Sequence, residues 1–550
     1  MVTMLWIIAA PNVDQKVSRV CPPLAFNRQI VCWRRTPRSK RPIVVKAEPS
    51  SRLVDMGKEC ETTKPVRSSD NLSNMNTSST KAPFDAHADD VSQLTHYLED
   101  KLGCSQIVLH KERRWRPVWR AAMMRNGKRT EMLLKGDRTW LTHPYPLEYE
   151  MLMQRTLHEN GIPIPAVLGM CPGPNTIVME WVRGGRDPGL IAEAIENRSV
   201  MTDDRWQASL RYMEILADMH RIPPEKFVAV GATLPTGDEE IALGNFERFH
   251  AMTGQINITD PFIEFFSRWL RRNYPNGRNS ISFLTGDCGQ FLSDGPEVTC
   301  ILDVEIGHLG DPMRDLACFR GRHPIENMGD VPALFLHYEK AIGVPLDYDA
   351  LAFQTVAFLC EAYYGPLFGM HDTGRGGDWV ESVFQVAVIA RRAMEALAEI
   401  IGLELDVLIL PEQPEATPYE DLALGKLIAD LERLPESDSL QGWQRNILVS
   451  VPHYLRNRGH YRQWCEQADI AETATLTGKQ INNLTEADRN LTDFIKTAGP
   501  EQDAALTRLF HRRFLRHCLI IAGPDPSPDH IALAVMEPIL NRRPAQDSTV

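Results

Sequence analysis

Residues 283–319 have the sequence FLTGDCGQFLSDGPEVTCILDVEIGHLGDPMRDLACF and are called the opening stretch below. They predict the fold of this 550-residue chain more strongly than any other segment. Asp287 follows an apolar pair and a glycine, and Gln290 comes three residues later. Two short apolar runs flank Asp294-Gly295, a pair typical of a hairpin turn, and the second run ends at Asp303. Carboxylates in such places can accept a proton from a hydroxyl group or bind a metal ion.

Composition and charge limit the class of protein. With 43% apolar and 24% charged residues, the chain has an ordinary globular composition, and its length predicts two or three domains. A net charge of -12 argues against a nucleic-acid binder, which needs a concentrated basic face. The 11 cysteines show no metal-site or disulfide spacing, which favours a reducing, cytoplasmic environment. No apolar run approaches the ~20 residues that span a bilayer, so no membrane association is expected.

The chain divides into four predicted segments. Residues 1–83 form a disordered basic extension and linker, although their basic run leaves a transit-like targeting peptide open. Residues 84–185 form a compact N-terminal lobe, and residues 186–410 form a helical lobe that contains the opening stretch. Residues 411–550 form an all-helical module without a ligand motif, which leaves open a protein partner or self-association.

Hydrophobic periodicity predicts the elements of the N-terminal lobe. An amphipathic helix is expected over 87–103, followed by three strands with a hairpin turn at Asn126-Gly127. A second helix over 147–161 ends in glycine, and two further strands break at Gly184-Gly185. From Asp203 onward the pattern is helical, with one helix expected over 249–272 and more over 332–402.

The opening stretch resembles the aminoglycoside phosphotransferase-like (APH/choline kinase-like) family of small-molecule kinases. LDVEIGHLGDPMRDLA is similar to the second block of that family, and RWLRRNYP upstream resembles the branch related to acyl-CoA dehydrogenase-associated phosphotransferases. The resemblance covers about residues 84–400. It implies an α+β, protein-kinase-like bilobal fold, with a small antiparallel-sheet N-lobe, a mostly helical C-lobe and the additional C-terminal helices.

The resemblance also implies a reaction and its residues. The chain is expected to transfer a phosphoryl group from ATP to a hydroxyl group of a small molecule. Asp287 matches the catalytic base of the family, and Asp303 and Gln290 match its Mg²⁺ ligands.

Other positions match the nucleotide site of the family. Lys135 would contact the nucleotide phosphates, and Glu148 would be its ion-pair partner, with Glu150 as the alternative. Backbone groups of Glu180, Trp181 and Val182 would bind adenine. No glycine-rich phosphate loop is present. The basic residues of the first hairpin therefore either contact phosphates through their side chains or form a solvated surface, which is the favoured interpretation (Lys111, Arg113, Arg114 and Arg116).

Several nearby residues have simpler interpretations. Asp311 and Asp315 are predicted to be structural acids, His308 a local hydrogen-bonding group and Cys288 a bystander. Arg320, Arg322 and His323 would lie near the acceptor site of the family.

The match departs from the family pattern at the turn itself. Thr285 replaces a histidine, Gln290 replaces an asparagine, and the loop after Asp287 is two residues shorter. These departures motivate an alternative function, a catalytically impaired nucleotide-binding pseudokinase or scaffold whose C-terminal module binds a partner protein. A metal-dependent hydrolase using Asp287 and Asp303 is disfavoured, because no histidine cluster completes its site.

Overall fold

The computed structural model of the chain describes residues 88–112, 116–138, 143–187, 200–256, 258–323, 325–371, 378–412, 418–527 and 530–542. The predictions for residues 1–83, Arg113 and Arg114 lie outside the described residues. The domain boundaries proposed above stay predictions.

The N-terminal lobe is built on a five-stranded antiparallel sheet with strand order β1-β2-β3-β5-β4. The predicted turn joins β2 to β3 at Asn126 and Gly127, which both have positive φ, as a two-residue hairpin requires. The strands are β1 (Cys104–Lys111), β2 (Val118–Arg125), β3 (Lys128–Gly136), β4 (Val167–Cys171) and β5 (Thr176–Glu180).

Two helices cover opposite faces of this sheet. Helix α1 (Ala88–Leu102) packs Leu94 and Leu98 against one face, together with Met132 of β3. Helix α2 (Leu147–Glu159) packs its apolar side against the other face, where Leu133 of β3 lies. Since neighbouring residues of a strand point to opposite faces, β3 packs against a helix on each side of the sheet. This packing fixes the position of the end of β3.

The rest of the described chain is mostly helical, with five short strands around the opening stretch. These strands are β6 (Gly185–Asp187), β7 (Ser282–Leu284), β8 (Phe291–Asp294), β9 (Glu297–Ile301) and β10 (His308–Gly310). The C-lobe helices are α3 (Asp203–His220), α4 (Pro224–Val228), α5 (Asp238–Ala251), α6 (Thr253–Ile256), α7 (Pro261–Asn273), α8 (Met313–Arg322), α9 (Val331–Ile342), α10 (Tyr348–Ala362), α11 (Tyr364–His371) and α12 (Trp379–Ile401).

The prediction of one helix over 249–272 is wrong. Helix α5 ends at Ala251, and α7 begins at Pro261 after Asp260, whose side chain accepts a hydrogen bond from the backbone N of Phe262. A proline at the first position and an aspartate before it are start signals, which the apolar spacing of this segment conceals.

The C-terminal helices share one core with the C-lobe. Phe510 and Phe514 pack edge-to-face against Phe262 of α7, with ring centroids 5.3 and 4.9 Å from that of Phe262. The helices are α13 (Pro418–Glu432), α14 (Ser439–Thr477), α15 (Leu484–Thr497) and α16 (Asp503–Ala522), with short 3₁₀ turns at Pro500–Gln502 and Leu540–Arg542. The predicted fold class is therefore confirmed: α+β, with a small antiparallel-sheet N-lobe, a mostly helical C-lobe and additional C-terminal helices.

Among the described helices, none combines the length and the apolar content needed to cross a membrane.

Candidate active site

A cleft between the N-terminal sheet and the strands of the opening stretch is lined by four of the predicted residues, Lys135, Trp181, Gln290 and Asp303. It encloses about 700 Å³ of space not filled by atoms, counting the solvent at its mouth. One part of its wall is apolar, and the other carries polar and charged side chains that could orient a ligand. The apolar part includes Val118, Leu133, Ile164, Met179, Trp181, Ile301 and Leu302, and the charged part includes Lys135, Glu150, Gln290 and Asp303.

Lys135 lies near the end of β3 and forms its ion pair with Glu150, at 2.5 Å between Nζ and Oε1. The expected partner Glu148 is exposed on α2 and lies outside the pair, so the alternative acid takes this place. Lys135 Nζ also lies 3.7 Å from Asp303 Oδ1. Burial raises the pKa of Glu150, but Lys135 and Arg116 outweigh this effect and lower it below the usual value.

Two arginines lie next to this pair. Arg116 and Arg138 both contact Glu305 Oε2 at 2.7 Å. Arg116 also donates to Glu150 Oε2 at 3.3 Å. Its 2% exposure contradicts the favoured interpretation of a solvated hairpin surface for this arginine, whereas Lys111 is exposed as expected. Glu305, in the C-lobe, is thereby held by two arginines of the N-lobe.

The segment expected to bind adenine lies at the apolar end of the cleft. Trp181 lines the cleft, and the guanidinium carbon of Arg120 lies 4.6 Å from the centroid of its ring. The side chain of Glu180 is exposed at the end of β5, and Val182 packs against the cluster around Leu292 instead. Of the three side chains, only that of Trp181 is part of the cleft wall.

The turn that carries Asp287 is held by Asp315 of α8. The Asp315 carboxylate accepts hydrogen bonds from the backbone N atoms of Thr285 at 2.9 Å and Gly286 at 3.2 Å, and from the Thr285 hydroxyl at 3.2 Å. Gly286 has a φ of 78°, and a Cβ there would lie 2.7 Å from the backbone oxygen of Ile306. Glycine is therefore required before Asp287, and Asp315 is structural, as predicted.

Asp287 is buried, with 1% exposure, and both of its carboxylate oxygens are engaged. Oδ1 accepts a hydrogen bond from Arg322 Nη1, and Oδ2 accepts one from Gln290 Nε2 at 2.8 Å. Burial raises the pKa of Asp287 to about 6, and the opposing charge of Arg322 limits this rise. Arg322 thus contacts the predicted catalytic residue directly.

The amide of Gln290 bridges the two aspartates through its nitrogen. Nε2 donates to Asp287 Oδ2 and, at 3.0 Å, to Asp303 Oδ2, while Oε1 accepts from Arg186 Nη2 at 2.9 Å. Since an amide offers donors on one side and acceptors on the other, these neighbours fix its orientation. Gln290 directs its donors, and not the oxygen that a metal ion would require, towards Asp303.

Asp303 lies two residues after β9 with a φ of 62°, a left-handed conformation that costs free energy for a residue other than glycine. Burial, followed by the charge of Glu305, raises the pKa of Asp303 to about 8. Its Oδ1 is buried and accepts no hydrogen bond from any described residue. Strain, a raised pKa and an unsatisfied oxygen together mark Asp303 as a site for a cation or a proton.

These properties fit a Mg²⁺ ion that arrives with a nucleotide. Within the described ranges, no group of three or more His, Cys, Asp or Glu side chains is arranged to hold a metal ion. Mg²⁺ in phosphoryl-transfer sites needs only one or two carboxylates, because phosphate oxygens and waters supply the other ligands. Asp303 offers one such carboxylate.

The other candidate residues make contacts that are consistent with a structural role. Asp311 accepts from Arg278 at 2.8 and 2.9 Å and from the backbone N of Met313, and His308 Nδ1 lies 2.9 Å from the carbonyl oxygen of Ile306. Burial raises the pKa of the Cys288 thiol, which leaves it a poor nucleophile. Away from Asp287, Arg320 pairs with Glu399 at 2.5 Å.

The preference for Glu150 over Glu148 could have been predicted from the sequence. Leu147, Glu150, Met151 and Gln154 follow the i, i+3, i+4, i+7 spacing of one helix face, and all four are buried. An acid inside an apolar stripe indicates a buried partner. The contact between Arg322 and Asp287 has no comparable signal, because it joins residues 35 positions apart.

Comparison with known proteins finds similarity among solved structures. No family model matches the chain, and no curated protein matches it. A protein from Ralstonia eutropha, provisionally described as an aminoglycoside phosphotransferase, shares 16% identity at a TM-score of 0.40, over 54% of this chain and 94% of that chain. Macrolide 2'-phosphotransferase MphH from Brachybacterium faecium shares 17% at a TM-score of 0.38, over 54% and 97%.

A third match is aminoglycoside phosphotransferase APH(4)-Ia in complex with ADP and hygromycin B, with 12% identity and a TM-score of 0.36, over 54% of this chain and 96% of that chain. These three structures are described as aminoglycoside and macrolide phosphotransferases, the kind of protein that the opening stretch resembles. The branch related to acyl-CoA dehydrogenase-associated phosphotransferases stays a prediction. Values this low assign no activity to this chain, and its own contacts must support a function.

Proposed function

We propose that this protein is an ATP-dependent phosphotransferase that acts on a hydroxyl group of a small molecule. The observation that carries the proposal is the cleft, which joins an apolar wall at Trp181 to the Lys135–Glu150 ion pair and Asp303. In this proposal the adenine ring lies against the apolar part and the phosphate groups lie beside Lys135. Phosphoryl transfer needs little more than this placement of charge beside an acceptor-binding carboxylate.

Each residue then has a proposed role. Lys135 positions the nucleotide phosphates, and Glu150 fixes its ammonium group. Asp303 holds Mg²⁺, which when bound neutralises the charge that develops on the transferred group. Asp287 accepts the hydrogen bond of the acceptor hydroxyl and orients it. Gln290 acts here as a donor that bridges the two carboxylates, in place of the metal ligand expected from the sequence.

The test is a phosphorylation screen of a pool of hydroxylated metabolites with ATP and Mg²⁺. We expect one class of acceptor to be phosphorylated, and Asp287→Ala to lower kcat by about 10²–10⁴-fold, the usual contribution of a general base. Asp294→Ala is the matched control, because Asp294 is an exposed aspartate on the turn of the adjacent hairpin. Full activity of Asp287→Ala would exclude the proposed role.

The burial of Asp287 favours a second candidate, a nucleotide-binding pseudokinase or scaffold. With both oxygens engaged and 1% exposure, Asp287 in this state has no route to an acceptor. A thermal-shift titration separates the two functions. Stabilisation by nucleotide that is independent of Mg²⁺ and comes without turnover supports the pseudokinase, whereas Mg²⁺-dependent stabilisation with turnover supports the phosphotransferase.

A further inference from the structure

Asp287 belongs to a closed ring of hydrogen bonds with four other side chains. Arg322 donates to Asp287 through Nη1 and to Glu326 Oε1 through Nη2, at 3.0 Å in the second contact. Arg186 lies 3.5 Å from both Glu326 oxygens and donates to Gln290 Oε1 at 2.9 Å. Gln290 Nε2 donates to Asp287 at 2.8 Å and closes the ring.

The ring joins three separate segments and is sealed from solvent. Arg186 comes from β6, Asp287 and Gln290 come from the turn between β7 and β8, and Arg322 and Glu326 come from the end of α8 and the turn after it. The charged side chains of the ring are at most 4% exposed. Two cations face two acids, so the ring is balanced in charge. Burial raises the pKa of Glu326, but Arg186 and Arg322 outweigh this effect and lower it.

The hydrogen bonds of the ring orient the side-chain amide of Gln290, and this amide also contacts Asp303. Because Arg186 occupies the amide oxygen of Gln290, the amide nitrogen must face Asp287 and Asp303. The two carboxylates favour this orientation by themselves, and Glu326 reinforces it by holding Arg186 and Arg322 in place. Glu326 therefore stabilises the orientation of Gln290 without touching it.

We propose that Arg186, Arg322 and Glu326 are positioning residues that act through Gln290 to hold Asp287 and Asp303 at a fixed separation and orientation. The catalytic use of this arrangement rests on the proposed function, whereas the ring itself does not. The contacts of Arg322 with Asp287 and Glu326 use the planar guanidinium group, whose fixed geometry a lysine ammonium group does not reproduce.

The direct test observes the side-chain amide of Gln290 in full-length protein labelled with ¹⁵N-glutamine. We assign its signal by its absence in Gln290→Asn. Two hydrogen bonds and complete burial predict an amide that exchanges slowly with solvent in the wild type. In Glu326→Gln, and independently in Arg186→Met, we expect this exchange to accelerate at least about tenfold, because the amide is released.

Glu361→Gln is the matched control. Glu361 is as buried as Glu326 and pairs at 2.8 Å with Arg314, which lies on the same helix as Arg322, yet neither touches the ring. The amide signal of Gln290 should be unchanged in this variant. An unchanged signal in both Glu326→Gln and Arg186→Met, or an equal change in Glu361→Gln, would overturn the proposal.

Kinetics then separate this proposal from the proposed function. With an acceptor in hand, Glu326→Gln should lower kcat at least about tenfold while the KM for ATP stays within about twofold, since the contacts of Lys135 are untouched. A released amide with an unchanged kcat would overturn the positioning role. A wild type that binds ATP without turnover, with a protected Gln290 amide that Glu326→Gln releases, contradicts the phosphotransferase and leaves the ring confirmed.

Discussion

The candidate site has two charged ends, one on the wall of the cleft and one behind it, and their cations differ in exposure. At the Lys135 end (Lys135, Glu150 and Asp303), the cation is 12% exposed and borders the cleft. At the Asp287 end (Asp287, Gln290 and Arg322), the cation is 0% exposed and is sealed against its acid. A cation on the wall of a cleft can be shared with an anionic ligand, whereas a sealed cation can only position its partner. The first end is built to bind, and the second to hold its shape.

The largest expected effect is the loss of unfolding free energy in a variant at the sealed Asp287 end. Arg322→Met leaves Asp287 and Glu326 with one cation fewer, and losing one partner of a buried pair costs about 3–5 kcal/mol of unfolding free energy. Lys135→Met should cost clearly less, because Glu150 keeps its contact with Arg116. Urea unfolding at neutral pH measures both. The control, Arg271→Met at the half-exposed pair with Glu247, should cost at most about 1 kcal/mol. Equal losses at the two ends would contradict the contrast.

A second prediction concerns how the unfolding free energy depends on pH at the two ends. Folding raises the pKa of Asp303 to about 8, so between its unfolded value and pH 8 the folded state carries the extra proton. Stability should therefore fall as pH rises through this window, by up to about 1.4 kcal/mol per pH unit. Asp303→Asn removes this loss, and in the absence of divalent cations its unfolding free energy should depend less on pH between 6 and 8.

The same comparison applies to Asp287, whose pKa of about 6 places the loss at lower pH. Asp287→Asn should therefore flatten the curve only up to about pH 6, whereas Asp303→Asn should flatten it up to about pH 8. The exposed Asp294→Asn serves as the reference. Curves for Asp303→Asn and the wild type that run parallel from pH 6 to 8 would contradict the raised pKa.

The smallest expected effect concerns ligand binding at the Lys135 end. Lys135→Met should weaken ATP binding about tenfold, in the range of a lost charge-assisted hydrogen bond. Arg322→Met should leave it within about twofold, since its cation does not reach the cleft. Isothermal titration calorimetry measures both affinities, and Lys128→Met, at an exposed lysine on the same strand, is the control. A stronger effect from Arg322→Met would reverse the assignment of the two ends.

Local signals in the sequence predict much of this architecture. The Asn126-Gly127 turn, the helix that begins at Leu147 and the hairpin at Asp294-Gly295 all form where their patterns indicate. These elements depend on neighbouring residues, whose propensities act over short distances. The family resemblance adds the general placement of Asp287 and Asp303, which the cleft brings within reach of one amide.

The contacts that decide the chemistry are less predictable. Whether Glu148 or Glu150 faces Lys135 depends on the rotation of α2 against the sheet. The sequence indicates this rotation only through the spacing of the buried residues of α2. The burial of Arg116 depends on Glu305, 189 positions away. The orientation of the Gln290 amide depends on Arg186, 104 positions away, and no local pattern encodes it.

Glu305 carries a consequence for the mobility of the two lobes. Its carboxylate belongs to the C-lobe, yet the arginines that hold it flank β2 and β3 of the N-lobe, and Tyr149 of α2 adds a hydrogen bond to the carbonyl oxygen of Gly307 at 3.0 Å. Rocking the lobes apart would break the buried contacts of Glu305 with both arginines and the hydrogen bond of Tyr149. Nucleotide entry should therefore proceed through the existing mouth of the cleft, with side-chain motion in place of a wide hinge movement.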